Sequence, residues 1–326
     1  MKTKVLTFIK IAITALLFYY IFRNVDFENF GMTLRNARPG ILIAAFILLW
    51  VAHYVCIFRW RLLIRPLMPA PSLNSLFGIY CIGLFFNLTF PTIIGGDVVK
   101  IYYIGKHSDS YSQSFASTFL DRDTGMLAML IIACIGIILY PVSVPGIPVS
   151  IIIWGVFAVF ILGNTCLFAP GCHDLLSRLL KSLKMTRIEK KANRVADAFQ
   201  IIGKHKSVLL VSLLISFVNQ LLVIVSVWIT AIGLRLQIPF YYFVVFVPVI
   251  TLISMIPVSL NGMGLREYAF MSLFGGIGVE PASCIALGLL TSIMIILCSV
   301  PGGIIYIFYR NRGDRRRFET LETEYS

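Results

Sequence analysis

Long apolar runs separated by short polar segments dominate the chain. Six runs are near the roughly 17–25 residues that a helix needs to cross a membrane, and they lie at about 5–22, 40–58, 124–140, 149–168, 207–232 and 284–308. Two further apolar stretches, about 73–104 and 240–279, contain proline and glycine breaks. No run shows the roughly 10-residue alternation of an outer-membrane barrel. The pattern therefore predicts an all-α polytopic membrane protein with about six full transmembrane helices.

The two interrupted stretches each carry charged residues beside the break. The first break runs from Asn87 to Lys100 and the second from Met255 to Glu267. Backbone that leaves the helix at membrane depth is tolerated only where protein buries it or where it lines a wet cavity. Breaks of this kind in both halves of one chain indicate a transporter-type binding site.

Positive charges flank the apolar runs and orient them. The loop 172–206 holds nine basic residues against three acidic ones, a net charge of +6, so we expect it in the cytosol. The uncharged connector 140–148 fits the outer face. The other basic clusters place both termini and the loop after the second run in the cytosol; they are Lys2, Lys4 and Lys10, then Arg59, Arg61 and Arg65, then Arg310, Arg312, Arg315, Arg316 and Arg317.

This orientation constrains the interrupted stretches. Both ends of 73–104 should be cytosolic and both ends of 240–279 should lie outside, so each stretch dips into the membrane and returns. Two oppositely oriented re-entrant helical hairpins indicate inverted-topology halves, 1–171 and 207–309, around a site near the membrane midplane. The alternative is that each stretch makes one or two full crossings. In either case we expect a single transmembrane domain over 1–326, with a charged tail at 310–326.

The basic loop has a helical pattern of its own. Apolar residues recur there at steps of three to four, which places them on one helix face; they are Ile188, Ala192, Val195, Phe199 and Ile202. One interpretation is a basic amphipathic helix on the cytosolic leaflet. The other is a solvated connector that only follows the positive-inside rule.

Composition agrees with a membrane protein and excludes several function classes. Of the residues, 58% are hydrophobic and 13% charged, against about 25% charged in soluble proteins. The net charge of +13 lies beside the apolar runs, so it favours anionic headgroups rather than nucleic acid. Seven cysteines and four histidines show no metal-ligand spacing, and no P-loop, HExxH or GxSxG motif occurs. We expect no enzyme activity, no metal and no cofactor.

The first break combines glycines with two charges. Gly95 and Gly96 allow a tight turn, and Asp97 is well placed as the N-cap of a short helix. The helix start and Lys100 favour an anion such as a lipid phosphate. In the plainer interpretation, Asp97 only caps the helix and Lys100 only extends to the interface.

Asp121, Arg122 and Asp123 form the second candidate group. If the span begins at 124, these charges are interfacial and carry no function. If the helix begins near 112, they lie within the membrane, where charges are expensive and usually functional. Arg122 is then a natural phosphate ligand, because its planar guanidinium binds two oxygens.

The second break, like the first, combines glycines with charged residues. Gly262 and Gly264 unwind the chain, and Arg266 and Glu267 lie beside the break after Asn261. Arg266 and Glu267 either contribute to the site or only neutralise each other at the turn. Within the fifth run, Asn219 and Gln220 are expected to face the bundle interior, where they can join helices by hydrogen bonds.

The ordered set of these residues resembles the transmembrane region of lysylphosphatidylglycerol synthetase, the flippase-like domain family. The resemblance covers nearly the whole chain, and the residues that carry it are Asn87, Pro91, Gly95, Gly96, Asp97, Lys100, Asp121, Arg122, Pro257, Gly262, Gly264, Arg266 and Glu267. The family commonly has arginine where Lys100 stands and glutamate where Asp121 stands. The family's bifunctional members carry a C-terminal aminoacyltransferase domain. Since this chain ends at Ser326, the resemblance implies the flippase-like half alone.

The expected function is a lipid flippase in the cytoplasmic (inner) membrane of a prokaryote. The headgroup would come from an anionic or aminoacylated phospholipid or from a polyprenyl-linked lipid. Arg122 and Lys100 would bind phosphate, while Asp97 and Glu267 would bind a cationic moiety or carry protons. Two alternatives stay open. The protein could be a non-transporting partner that presents lipid to a separate synthase or glycosyltransferase, or a membrane enzyme with Asp97 or Glu267 as general base. Small residues at 275–278 permit a homodimer.

Overall fold

The computed structural model describes residues 2–23, 26–89, 95–108, 110–168 and 186–324, with most of their side chains up to residue 308. Twelve α-helices lie in these residues, and no strand does. In chain order they are α1 Lys2–Arg23, α2 Phe27–Arg35, α3 Pro39–Ile64, α4 Leu73–Thr89, α5 Gly95–Ser108, α6 Tyr111–Leu139, α7 Val149–Phe168, α8 Thr186–Lys204, α9 Lys206–Gly233, α10 Phe240–Ser254, α11 Leu265–Gly275 and α12 Pro281–Glu324. The all-α prediction is confirmed.

Four helices in the described part of the chain are both long and apolar enough to cross a membrane, namely α3, α6, α9 and the segment Pro281–Phe308 of α12. The predicted runs near 5–22 and 149–168 fall in α1 and α7, whose described apolar segments are the shorter Ala12–Ile21 and Val149–Thr165. Exposed apolar residues on α3 recur at helical spacing: Ile43, Ile47, Val51, Tyr54 and Phe58. A continuous exposed apolar stripe of this kind faces lipid rather than water, so the molecule is a polytopic membrane protein.

Both interrupted stretches form helical hairpins. The first consists of α4 and α5, which pack directly on each other. The second consists of α10 and α11, joined by a short 3₁₀ turn at Leu260–Gly262. Each arm has 17 residues or fewer, which is at or below the lower limit of the roughly 17–25 residues that one crossing needs. The arm lengths therefore favour hairpins over the alternative of full crossings.

The hairpins approach the centre of the molecule from opposite ends. Ile104, near the end of the first hairpin, packs in an apolar cluster with Ile64 of α3 and Phe199 of α8; we call this the α8 end. Phe243 and Phe274, near the two ends of the second hairpin, pack with Val144 of the connector 140–148; we call this the connector end. Because α6 runs from one end to the other, the predicted opposite orientation of the two hairpins is confirmed.

The chain repeats one helix arrangement with reversed direction. In the first half the long helix α3 precedes a hairpin and α6 follows it; in the second half α9 precedes a hairpin and α12 follows it. The helices α3 and α9 pack against each other, and α4 packs on α12 as α10 packs on α6. This symmetry of contacts agrees with an inverted repeat.

The third long helix begins at Tyr111, which confirms the alternative that it begins near 112 rather than at 124; Ser114, Ser117 and Thr118 are buried there. Two other details differ from the predictions. The second long helix, α3, continues to Ile64, so Arg59 lies within it and not in a cytosolic loop. Asp97 is the third residue of α5 rather than its N-cap, because that helix begins at Gly95.

The predicted amphipathic helix exists, as α8, and the part of its apolar face whose side chains the structure describes packs on protein. Ala198, Phe199 and Ile202 are buried against the protein, and Phe199 meets Phe119 of α6 edge to face. Protein rather than lipid therefore covers this part of the face. Ile188 and Ala192, on the same predicted face, lie outside the described side chains, and residues 172–185 lie outside the described residues.

Candidate functional site

A cavity of about 400 Å³ lies between the two hairpins. Its walls come from α3, α4, α5 and α6 in the first half and from α9 to α12 in the second. Seven predicted site residues line it: Asn87, Asp97, Lys100, Asp121, Arg122, Asn261 and Arg266. Sites for small molecules usually have volumes of about 300–1,000 Å³, so this cavity has the size of a small-molecule site.

The first hairpin closes tightly enough to bring its charges to the cavity. The Gly96 N–H donates to Asn87 Oδ1 at 2.8 Å, and a Cβ at Gly96 would lie 2.0 Å from the Gly83 carbonyl oxygen. Only glycine permits this approach of the two helices. Asp97, the next residue of α5, and Lys100, one turn further along, both line the cavity.

Asp97 binds two cations at once. One of its carboxylate oxygens accepts a hydrogen bond from Arg122 Nη1, and the other lies 3.6 Å from Lys100 Nζ. Lys100 is buried and does not extend to an interface; its ammonium lies 4.2 Å from the ring centre of Tyr80 and 5.4 Å from that of Trp60. These cation–π contacts partly replace the hydration that burial removes. Arg122 remains one-third exposed and is therefore open to a ligand.

Asp121 forms a second ion pair, deeper in the bundle. Arg59 Nε donates to its Oδ1 at 2.8 Å, and the same guanidinium donates to Ser216 Oγ at 2.8 Å and contacts Cys56 Sγ at 3.2 Å. Both charged groups are buried. A Cβ at Gly125 would lie 3.1 Å from Arg59 Nη1, so glycine there leaves room for the guanidinium. Arg59 is thus fixed in place by three side chains.

The second hairpin presents Arg266 to the cavity and keeps Glu267 behind it. Glu267 is fully buried, and its carboxylate accepts the Gly264 N–H at 2.6 Å and the Ser292 hydroxyl at 2.5 Å. Arg266 donates to the same hydroxyl oxygen at 3.0 Å. Among the described ion pairs, none joins Arg266 to Glu267 directly, so Ser292 connects the two charges across its hydroxyl group.

The tip of the second hairpin has left-handed backbone. Asn261 has φ of 49°, and Gly262 and Gly264 have φ of 74° and 81°, values that glycine adopts without strain. A Cβ at Gly262 would also lie 2.6 Å from the Ser254 carbonyl oxygen. Asn261 is the one non-glycine residue of the three, and residues in this conformation often lie at binding sites.

The remaining predicted residues lie outside the cavity lining. Gly95 and Gly96 form the start of α5, Gly262 and Gly264 form the second tip, and Glu267 lies behind it. Asp123 faces α7, where Asn164 Nδ2 donates to its Oδ1 at 3.0 Å. Pro91 lies outside the described residues.

Two further polar predictions are confirmed as helix–helix contacts. Asn219 donates to the Ala52 carbonyl at 2.6 Å, and Gln220 donates to the Gly125 carbonyl at 3.1 Å. Gln220 also lines the cavity, a role that the sequence had not indicated.

The cavity residues that sequence reasoning missed include His53, Arg59 and Tyr80. His53 Nδ1 lies 3.2 Å from the Tyr80 hydroxyl, and its buried Nε2 has no partner among the described residues. One indication was available: the apolar run after residue 40 continues through Trp60, Leu62, Leu63 and Ile64. Polar residues at 53 and 59 therefore lie inside that helix rather than at its end.

Comparison with known proteins identifies the family. The sequence model described as "Lysylphosphatidylglycerol synthase TM region" matches residues 7–302, and the chain belongs to this family. Similar proteins include two described as UPF0104 membrane proteins from archaea. One, of Methanothermobacter thermautotrophicus, is 22% identical over 94% of this chain and 93% of its own length. The other, of Pyrococcus horikoshii, is 26% identical over 80% of this chain and 86% of its own length. No solved structure matches.

Proposed function

We propose that this member of the lysylphosphatidylglycerol synthase TM region family moves a phospholipid, or a lipid-linked headgroup, between the leaflets of the cytoplasmic membrane. The observation that carries the proposal is the charged cavity between two hairpins that enter from opposite ends. Ionisable groups inside a membrane protein are expensive and mark substrate pathways. Paired broken segments around such groups are typical of transporters with inverted repeats.

The family description supports a lipid as the substrate. It names lysylphosphatidylglycerol, which is a membrane lipid. The cavity volume suits a headgroup, while the exposed apolar faces of α3 and α9 suit acyl chains that stay in the bilayer. Such a division lets the protein shield only the polar part of the lipid, which is the part that cannot cross hydrocarbon unaided.

The proposed binding step uses cations that already face the cavity. Arg122 and Lys100 lie on one wall and Arg266 on another, so a phosphate between the hairpins can bind either set. The planar guanidinium of Arg122 suits two phosphate oxygens, and Lys100 adds a point charge. Access alternates when one half, α3 to α6, rocks against the other, α9 to α12. No covalent step is required.

Movement of labelled lipid in proteoliposomes tests the proposal. The purified protein is reconstituted with phosphatidylglycerol carrying a fluorophore on one acyl chain, and a membrane-impermeant reductant bleaches the outer leaflet. We expect bleaching beyond the outer-leaflet fraction with the wild-type protein. Arg122→Ala removes a phosphate ligand, and Asp97→Asn leaves Lys100 and Arg122 to repel each other. Each change should slow the movement roughly tenfold or more, because each breaks a partly buried charge pair in the cavity.

Arg194→Gln is the matched control, because Arg194 is an exposed arginine of α8 outside the cavity. It should leave the rate unchanged. Normal movement in both cavity variants would contradict the mechanism. If the folded protein does not move the labelled phosphatidylglycerol, the result would favour the alternative in which the protein presents lipid to a separate enzyme.

A further inference from the structure

The charges that line the cavity do not balance. Four cations face it, Arg59, Lys100, Arg122 and Arg266, against two carboxylates, Asp97 and Asp121. The described lining therefore carries a formal excess of two positive charges. A negative charge on the ligand offsets this positive excess, whereas a positive charge on the ligand is repelled by it, especially where water is scarce.

Both lining carboxylates are already bonded to cations. Asp121 accepts Arg59 Nε at 2.8 Å, and its second oxygen lies 3.8 Å from Cys56 Sγ. Asp97 directs one oxygen to Arg122 and the other to Lys100. A cationic ligand group that approached either carboxylate would have to displace an existing cation, and that cation would then be left unpaired.

The two other acidic groups nearby point away from the cavity. Glu267 is fully buried and bonded to Gly264 N–H and the Ser292 hydroxyl, and Asp123 accepts from Asn164 of α7. Neither belongs to the cavity lining. Within the described side chains, both carboxylates of the cavity are paired, so none is free for an ammonium group of a ligand.

Neutral hydrogen-bonding groups fill the rest of the polar lining. His53 Nε2 is buried without a partner among the described residues, and Gln220 and Thr291 lie on facing helices. Buried polar groups require hydrogen-bond partners. Hydroxyl groups of a ligand can both donate and accept, so they match this mixed set.

We infer that the cavity selects an anionic phosphate headgroup bearing neutral hydroxyl groups and discriminates against its aminoacylated, cationic form. This inference rests on the proposed function in one respect, since it takes the cavity to be the headgroup site. It departs from the aminoacyl lipid that the family description names. The selectivity arises because both carboxylates are already paired and the cations are in excess. The cavity therefore attracts the anionic headgroup and repels the cationic one.

Phosphatidylglycerol and lysyl-phosphatidylglycerol form a matched pair for the test, because they differ only in the lysyl group. Full-length protein in phosphatidylcholine nanodiscs is titrated with each lipid in competition with a fluorescent phosphatidylglycerol probe. We expect phosphatidylglycerol to bind more tightly by roughly tenfold or more, since like charges in a desolvated site repel strongly. Arg122→Gln removes one cation and loosens Asp97, so the ratio should shift toward the lysyl lipid. Arg194→Gln should leave it unchanged.

Equal affinities, or tighter binding of the lysyl lipid by the wild-type protein, would overturn the inference and leave the proposed transport intact. An unchanged ratio in Arg122→Gln would also contradict it. Failure of both lipids to compete would overturn both proposals. Selective binding together with no movement in proteoliposomes would overturn transport alone and support the inference.

Discussion

Arg59 lies at the buried centre of the contact between α3, α6 and α9, where its guanidinium binds Asp121, Ser216 and Cys56. A buried ion pair contributes little net stability, because desolvation of both charges offsets their attraction. Loss of one partner is different, since the remaining charge has no compensation. The pair therefore fixes the positions of three helices around the cavity more than it adds to stability.

We predict that Arg59→Met destabilises the protein by about 3–5 kcal/mol, because it leaves Asp121 buried and unpaired. Combining it with Asp121→Asn should restore a large part of that loss. The apparent melting temperature in detergent measures both effects, and Arg38→Met, at an exposed arginine, serves as control. The double variant could instead lose at least as much stability as Arg59→Met and Asp121→Asn lose in sum. In that case the ion pair would not explain the burial of Arg59.

The residue scale is also where sequence reasoning was least complete. Asp97, Lys100 and Arg266 were identified because charges beside a proline and glycine break are conspicuous, and Arg122 because it lies in a charged group at the start of an apolar run. His53 and Tyr80 were missed, because a single polar residue in an apolar run has no pattern that indicates its direction. The contact between His53 and Tyr80 depends on the packing of α3 beside α4, which the sequence does not show.

At the scale of elements, the hairpin of α4 and α5 depends on the close approach of two backbones. A Cβ at Gly96 would lie 2.0 Å from the Gly83 carbonyl oxygen and 2.7 Å from Asn87 Oδ1. These neighbours are backbone or already hydrogen-bonded, so they have little room to move. The position of Asp97 and Lys100 follows from this contact.

We predict that Gly96→Ala separates the two arms and lowers stability by about 1–3 kcal/mol through overpacking. Gly155→Ala in α7 is the matched control, because a Cβ there would meet nothing within 4 Å. That change should be neutral or stabilising by roughly 0.5–1 kcal/mol, since alanine favours helix over glycine. Thermal unfolding in detergent distinguishes the two, and equal effects would argue against the tight hairpin.

Hydrophobic patterning predicted most helices, but it was a poor guide where polar residues are buried. Residues 112–120 are weakly polar, so the sequence left two starts open for α6; the start near 112 is confirmed, because Ser114, Ser117 and Thr118 are buried against neighbouring helices. The short helix α2 was not predicted; it is only nine residues long and is capped by Asp26. The face of α8 was predicted, but the sequence does not specify whether lipid or protein covers it.

At the scale of the whole molecule, the two hairpins enter from opposite ends of α6. If the α8 end faces the cytosol, as the basic loop indicates, the connector 140–148 must face outward. Sequence alone supported this orientation through the positive-inside rule. The sequence could not show that both hairpins meet at one cavity, because this meeting depends on the packing of α4 on α12 and of α10 on α6.

We predict opposite exposure for two cysteines introduced into a cysteine-free background, Ser143→Cys in the connector and Lys204→Cys at the end of α8. A membrane-impermeant maleimide added to intact cells should label the first directly and the second only after permeabilisation. Labelling of both from the same side would contradict the inverted arrangement of the hairpins.

The proposed function requires that a lipid phosphate occupies the cavity between the hairpins. Cross-linking with a phosphatidylglycerol analogue that carries a photoactivatable group on its headgroup tests whether it does. The expected adducts fall on cavity-lining residues of α5, α6 and α11, decrease with excess unlabelled phosphatidylglycerol, and weaken in Arg122→Ala. Adducts confined to exposed faces such as Ile151 and Val159 of α7, unaffected by competitor, would contradict it.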